Sequence, residues 1–276
     1  VARLSSLALF FLLRAASSSA QAPATQPKPQ APAKPGTEKP APFEPRVGQP
    51  GKDVVWVPTP QALVDKMLDM AKITPNDFVM DLGSGDGRTV ITAAKRGARA
   101  MGVEFNPDMV DLSKRAAQKE GVTDRATFVQ GDLFKQDLSK ATVITMFLLP
   151  SINMQLRPSL LNLKPGTRIV SNTFTMEDWE ADETQSVTDD CSSWCTALLW
   201  IVPAKVQGTW KTGQGNLTLT QEFQKLTGNL NGTPITAGRV NADQVSFTVG
   251  GTNYSGRVNA AGSAISGGNL SATKVN

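Results

Sequence analysis

A glycine-rich turn set between a strand and a helix, Asp81-Leu82-Gly83-Ser84-Gly85-Asp86-Gly87-Arg88, constrains this chain more than any other stretch. The apolar run before it, Phe78-Val79-Met80-Asp81, reads as a buried strand, and the amphipathic stretch from Arg88 to Arg96 reads as a helix. Gly83, Gly85 and Gly87 let the backbone turn tightly and come close to a ligand. Such a βα turn belongs to an open α/β sheet, whose ligands bind beyond the carboxyl ends of the strands. Its spacing is G-x-G-x-G, whereas a dinucleotide site uses G-x-G-x-x-G around a pyrophosphate. The carboxylate of Asp81 would repel phosphate, and it suits a ligand bearing ammonium and sulfonium charges.

The pattern around this turn supports a mostly parallel sheet over residues 51–205. Thr59-Pro60 is expected to open the first helix, with Thr59 as N-cap and Pro60 at N1. Further strands are expected at Ala100 to Glu104, Ala126 to Gln130, Thr142 to Phe147, Arg168 to Ser171 and Ala197 to Val202. A helix capped by Asn106-Pro107 reaches about Lys119, and another runs from Ile152 to Leu163. These elements fit a doubly wound α/β sheet of about seven strands with one antiparallel edge pair. Residues 206–276 change character, to short β-rich runs such as Val245 to Val249 separated by Asn-Gly and Gly-Gly turns. A small antiparallel β module is expected there, a meander or partial barrel of about six or seven strands, carrying no catalytic cluster.

The first 50 residues are of another kind. Residues 1–22 read as a signal peptide: Arg3, an apolar run from Leu7 to Leu13, then small residues with cleavage near Ala20 or Ala22. The run is far shorter than the ~20 residues of a membrane span, so no stable span is expected. Residues 23–50, rich in Pro, Ala, Gln and Lys, read as a disordered tether. The net charge of +4 lies in this region, where Arg3, Arg14, Lys28, Lys34, Lys39 and Arg46 face Glu38 and Glu44. The remainder is near neutral, so a phosphate-binding groove and a nucleic-acid partner are not expected. Export to the periplasm or envelope follows if the signal operates, a cytoplasmic location otherwise.

Two more acids follow Asp81 at successive strand ends. Glu104 can accept hydrogen bonds from both hydroxyls of a ribose. Asp132, in Gly131-Asp132-Leu133-Phe134, can accept from an adenine amino group, with Leu133 or Phe134 against the ring face. These residues resemble the motifs of class I S-adenosylmethionine-dependent methyltransferases. Val55-Trp56-Val57-Pro58-Thr59-Pro60, Phe147-Leu148-Leu149-Pro150 and Leu163-Lys164-Pro165-Gly166-Thr167-Arg168 narrow the resemblance to a bacterial subgroup related to the mitochondrial protein-lysine methyltransferases. It covers about Val54 to Ala204. It implies a seven-stranded Rossmann-like methyltransferase sheet, S-adenosyl-L-methionine as cofactor, and Asp81, Gly83, Ser84, Gly85, Gly87, Glu104, Asp132 and Leu133 as its binding residues.

The implied acceptor is a protein lysine or another amine, with a small molecule as the alternative. That subgroup commonly carries a His and an Asp in the segment where Asn172 and Thr173 stand here, and the chain has no histidine. A non-catalytic exported binding protein that retains the pocket is therefore the reading from a different class. In-line transfer needs alignment more than acid or metal. Thr59, Asn172 and Asp178 are the candidates for lining the acceptor end, with helix capping, turn formation and a solvated loop acid as their plainer roles. Cys191 and Cys195 are the only cysteines, too few for a zinc site without histidine, and no metal is expected. They would lie about 13 Å apart along a straight strand, whereas a tight loop would let them pair; free thiols are the other possibility.

Overall fold

The computed structural model describes residues 43–275; the expected signal peptide, and the expected tether as far as residue 42, lie outside them. Short, largely apolar runs of four to six residues form the strands β1 (Phe78–Leu82), β2 (Arg99–Glu104), β3 (Ala126–Gln130), β4 (Val143–Met146) and β5 (Arg168–Asn172), joined by β6 (Glu183–Ser186) and β7 (Thr196–Ile201). They make one sheet of order β3-β2-β1-β4-β5-β7-β6, parallel except for β7, which runs antiparallel to both β5 and β6. Helices α1 (Gln61–Met70), α2 (Arg88–Lys95), α3 (Pro107–Lys119) and α4 (Pro150–Leu160) cover it.

Alternation along the strands explains the two layers. Val79, Val143, Val170 and Leu199 face a core shared with Leu63, Leu68, Val90 and Val110 of α1, α2 and α3. Their neighbours Met80, Ile144, Ile169 and Trp200 face the other core, with Ile152, Leu156 and Leu160 of α4. Each such side chain stabilises the fold by about 1.5–3 kcal/mol on burial, and burial on both faces is why the strands read as unbroken apolar runs.

Two local expectations are corrected, and one strand carries no signal in the sequence. The first helix begins at Gln61, with Pro60 as its N-cap residue and no side-chain cap; the Thr59 hydroxyl accepts from Asn172 Nδ2 at 3.3 Å and does not cap the helix. Helix α4 starts at Pro150 and stops at Leu160, earlier at both ends than expected, because Pro150 is preset for the first helical turn. Strand β6, Glu-Thr-Gln-Ser at the sheet edge, has no apolar alternation to announce it.

The expected antiparallel β module is present, and its strands close into a barrel. It comprises β8 (Gly208–Thr212), β9 (Gly215–Glu222), β10 (Lys225–Leu230), β11 (Thr233–Pro234), β12 (Thr236–Asn241), β13 (Gln244–Val249), β14 (Thr252–Val258), β15 (Ala264–Ser266) and β16 (Ala272–Lys274). Pairing runs β9-β10-β12-β13-β14-β15-β16-β8, and β8 returns to β9, so eight strands form the ring and β11 is a spur on β10. Trp210, Leu217, Val240, Val245 and Phe247 fill it, and closure leaves the ring without a free edge. The barrel packs on the α/β lobe through Phe223, stacked on Trp179 at 5.8 Å, and Gln224, whose Nε2 donates to the Glu180 carbonyl at 2.8 Å. Arg239 pairs there with Asp182. Among the described residues no helix is long and apolar enough to cross a membrane.

Candidate active site

A cleft opens at the carboxyl ends of the parallel strands, where β1 and β4 lead their following helices to opposite faces of the sheet. This is the switch point at which open α/β sheets bind ligands. Its floor is the turn between β1 and α2. Gly83, Gly85 and Gly87 all have positive φ, at 78°, 54° and 81°, a backbone that residues with a Cβ adopt only under strain. At Gly85 a Cβ would also stand 2.4 Å from Trp56 Nε1, so only glycine lets the chain pass beneath that ring. Ser84 lines the cleft, and its buried hydroxyl makes no hydrogen bond among the described residues.

The three acids stand around this floor. Asp81 is buried and accepts from Thr145 Oγ1 at 2.6 Å. Burial pushes its carboxyl up to about 7; the Thr145 hydrogen bond opposes this, and the charges of Asp86 and Glu104 add to it. A cation at this position would relieve that penalty. Glu104 accepts from the Gly85 N–H through Oε2 and from the Asn106 N–H through Oε1, both at 2.9 Å. It therefore ties the glycine turn to the start of α3 while still lining the cleft. Asp132 accepts from the Phe134 N–H at 3.0 Å and pairs with Lys52 at 3.2 Å. The Phe134 N–H, with Lys52 behind it, holds this carboxyl below its usual range. Leu133 lines the cleft beside it.

An unsatisfied buried hydroxyl, a buried carboxylate without a cation, and glycine backbone shaped for close approach form a donor and acceptor set that fits S-adenosylmethionine. Asp81 and the glycine turn would hold the amino-acid end, Glu104 the ribose, and Asp132 with Leu133 the adenine.

The remaining candidates separate. Thr59 lines the cleft and is buried; its carbonyl accepts from Arg88 Nη1 at 2.9 Å. Asn172 is wholly buried behind Thr59, where its Oδ1 accepts from Thr173 Oγ1 at 2.9 Å, and it supports the wall without lining it. Asp178 does not line the cleft. Arg157 on α4 captures its carboxylate and, at 3.1 Å, the Met176 carbonyl, and the adjacent Trp179 is drawn into the second core. Asp178 is thereby turned towards solvent, and the Arg157 guanidinium holds its carboxyl below the ordinary carboxylate range.

Several lining residues were not anticipated as site residues. Gln49 to Thr59 form a strap across the cleft, closed by Gly48 N–H to Trp56 O at 2.8 Å and Trp56 N–H to Gln49 O at 2.9 Å. It supplies Lys52, whose Nζ lies 5.5 Å from the Phe105 ring centre, and Trp56. Across the cleft stand Phe147, Phe174 and Trp194. Trp194 lies in the loop before β7, which the Cys191–Cys195 disulfide closes with Cα atoms 5.8 Å apart. Asp190 and Trp194 have φ of 53° and 55°, so this segment is a tight loop and not a straight strand. Family resemblance marked Trp56 and Phe147, but no local pattern says that a ring far off in sequence will meet the glycine turn.

Comparison with known proteins agrees with this geometry. The model of the family described as the ANTKMT methyltransferase domain matches residues 81–183. The chain is 47% identical over 139 residues to a protein-lysine N-methyltransferase of Saccharolobus islandicus, covering 49% of this chain and 86% of that protein. It is 36% identical over 119 residues to the adenine nucleotide translocase lysine N-methyltransferase of Mus musculus, covering 42% of this chain and 52% of that protein. The chain thus spans about half the length of this animal relative. Among solved structures, an RNA methyltransferase from Salinibacter ruber in complex with S-adenosyl-L-homocysteine superimposes with a TM-score of 0.51 at 45% identity, covering 54% of this chain and 96% of that one.

Proposed function

This chain belongs to the family of the ANTKMT methyltransferase domain and is an S-adenosylmethionine-dependent methyltransferase, and we propose that its acceptor is the side-chain amine of a protein lysine. The observation that carries this reading is the 47% identity to a protein named for that activity. Asp81, Glu104 and Asp132, at the ends of adjacent strands, make the donor site that the activity needs.

When bound, S-adenosylmethionine supplies an electrophilic sulfonium methyl: the nitrogen lone pair forms the new N–C bond as the S–C pair returns to sulfur, and the nitrogen then loses a proton to solvent. The chain's own part is alignment, which can supply much of the barrier lowering for an in-line displacement. Glu104, Asp132 and the glycine turn hold the donor end. Thr59 orients the acceptor: its hydroxyl is fixed by Asn172 and retains capacity to accept from an amine N–H. A neutral amine is required for attack, so the bound lysine must give up its proton before the methyl is transferred. The Cys191–Cys195 disulfide supports an oxidising compartment, and hence the export expected from the N-terminal segment.

The test is calorimetric titration of the full chain with S-adenosylmethionine, followed by transfer of isotopically labelled methyl to a protein extract and amino-acid analysis of the product. Micromolar binding that is lost in Asp81→Ala and Glu104→Ala, with label in methyl-lysine, is the expected result. Label confined to RNA or to small molecules would overturn the lysine assignment.

A further inference from the structure

The cleft has two chemically different halves. Over the ends of β1, β2 and β3 stand the carboxylates of Asp81, Glu104 and Asp132, which meet the needs of the donor. The other half lies over β4, β5 and β7. Phe147 follows β4, Phe174 follows β5, and Trp194 precedes β7. Because β7 runs antiparallel to β5, its start and the end of β5 share one sheet edge, with Asn172 opposite Ala197. Three aromatic residues from distant parts of the chain therefore meet at one place. Phe147 and Phe174 stack at 5.8 Å, and Trp194 tilts against Phe147 at 6.0 Å with 44% of its surface exposed.

We propose that Phe147, Phe174 and Trp194 form an aromatic port for a lysine side chain, and that the Cys191–Cys195 disulfide serves to hold Trp194 as its outer wall. This rests on the lysine assignment made above. Aromatic faces accept the methylene stem of lysine and attract a cation at its tip. A methylated ammonium is more weakly hydrated than a bare one, so the port continues to hold the side chain as methyl groups accumulate. The loop bearing Trp194 also carries Asp189 and Asp190, both exposed, a charge pattern suited to a basic segment around the target. A large exposed aromatic residue costs conformational entropy to keep in place; a covalent closure spanning Cys191 to Cys195 restricts the loop in a way that its short polar residues could not.

The experiment measures binding of Nα-acetyl-Nε-trimethyl-lysine amide, and of the neutral Nα-acetyl-norleucine amide, to the full oxidised chain in the presence of S-adenosylhomocysteine. The parent should prefer the cation at least five-fold. Trp194→Ala should lose that preference while affinity for S-adenosylhomocysteine stays within two-fold, and Trp194→Phe should retain most of it. The double variant Cys191→Ser/Cys195→Ser, and the parent after reduction, should weaken cation binding with the cofactor affinity again held. A parent that binds S-adenosylhomocysteine but shows no preference, or a Trp194→Ala variant that keeps it, overturns the port. Preference for the cation unchanged by reduction overturns the role of the disulfide. A parent without affinity for S-adenosylhomocysteine would instead overturn the cofactor assignment beneath both.

Discussion

At the scale of single residues, Asp81 couples burial to ligand charge. Its carboxyl is buried and pushed up to about 7, well above the ordinary value near 4. A raised folded-state value means that its contribution to stability is complete below about pH 4 and is lost as the pH rises through about 7. The same ionisation prepares the site for a cation. Affinity for S-adenosylmethionine should therefore fall by up to ten-fold per unit as the pH drops from 7 towards 5.5, as read by calorimetry. In Asp81→Asn affinity should be at least ten-fold weaker and flat over that range, and the unliganded variant should melt a few degrees above the parent at pH 8. The acids and the glycines were legible in the sequence because each stands at a fixed offset from a strand end. Trp56, Lys52 and Trp194 were not, since their part in the site depends on contacts with residues remote in the chain.

At the scale of elements, Thr59 separates two explanations. Sequence pattern makes it a helix cap, worth about 1 kcal/mol where present; the structure gives it no such bond and places it in the cleft wall against Asn172. Thr59→Ala should leave helical circular dichroism unchanged and cost about 1–3 kcal/mol of stability through the buried Asn172 Nδ2 donor it leaves unpaired, while kcat falls ten-fold or more with little change in KM for the cofactor. A loss of helix content with activity retained would restore the capping role. The buried strands were readable because both faces are apolar, and β6 was not because Glu183 to Ser186 form a polar edge. Asp178 was misplaced because its sequence neighbourhood does not reveal the pull of Arg157 from α4.

At the scale of the whole molecule, the barrel and the α/β lobe meet at a mixed junction. Asp182 is its pivot: its side chain is largely buried, accepts from the Ile201 N–H at 2.8 Å and pairs with Arg239 of the barrel. Asp182→Ala leaves the Ile201 donor unsatisfied, a cost of about 1–3 kcal/mol. Urea unfolding followed by tryptophan fluorescence and by circular dichroism should then separate into two transitions where the parent shows one; coincident transitions in the variant would mean that the stacked Phe223 and Trp179 suffice to couple the lobes. The barrel's strands were foreseeable from hairpin chemistry, whereas its closure depends on β8 finding both β9 and β16, a pairing that no local signal announces.

The strap over Gly85 also makes two distant stretches of sequence one fitted pair. With Trp56 Nε1 2.4 Å from where a Cβ at position 85 would stand, a side chain added to the turn would have to push the cleft wall aside, so the floor and the wall of the site cannot vary independently.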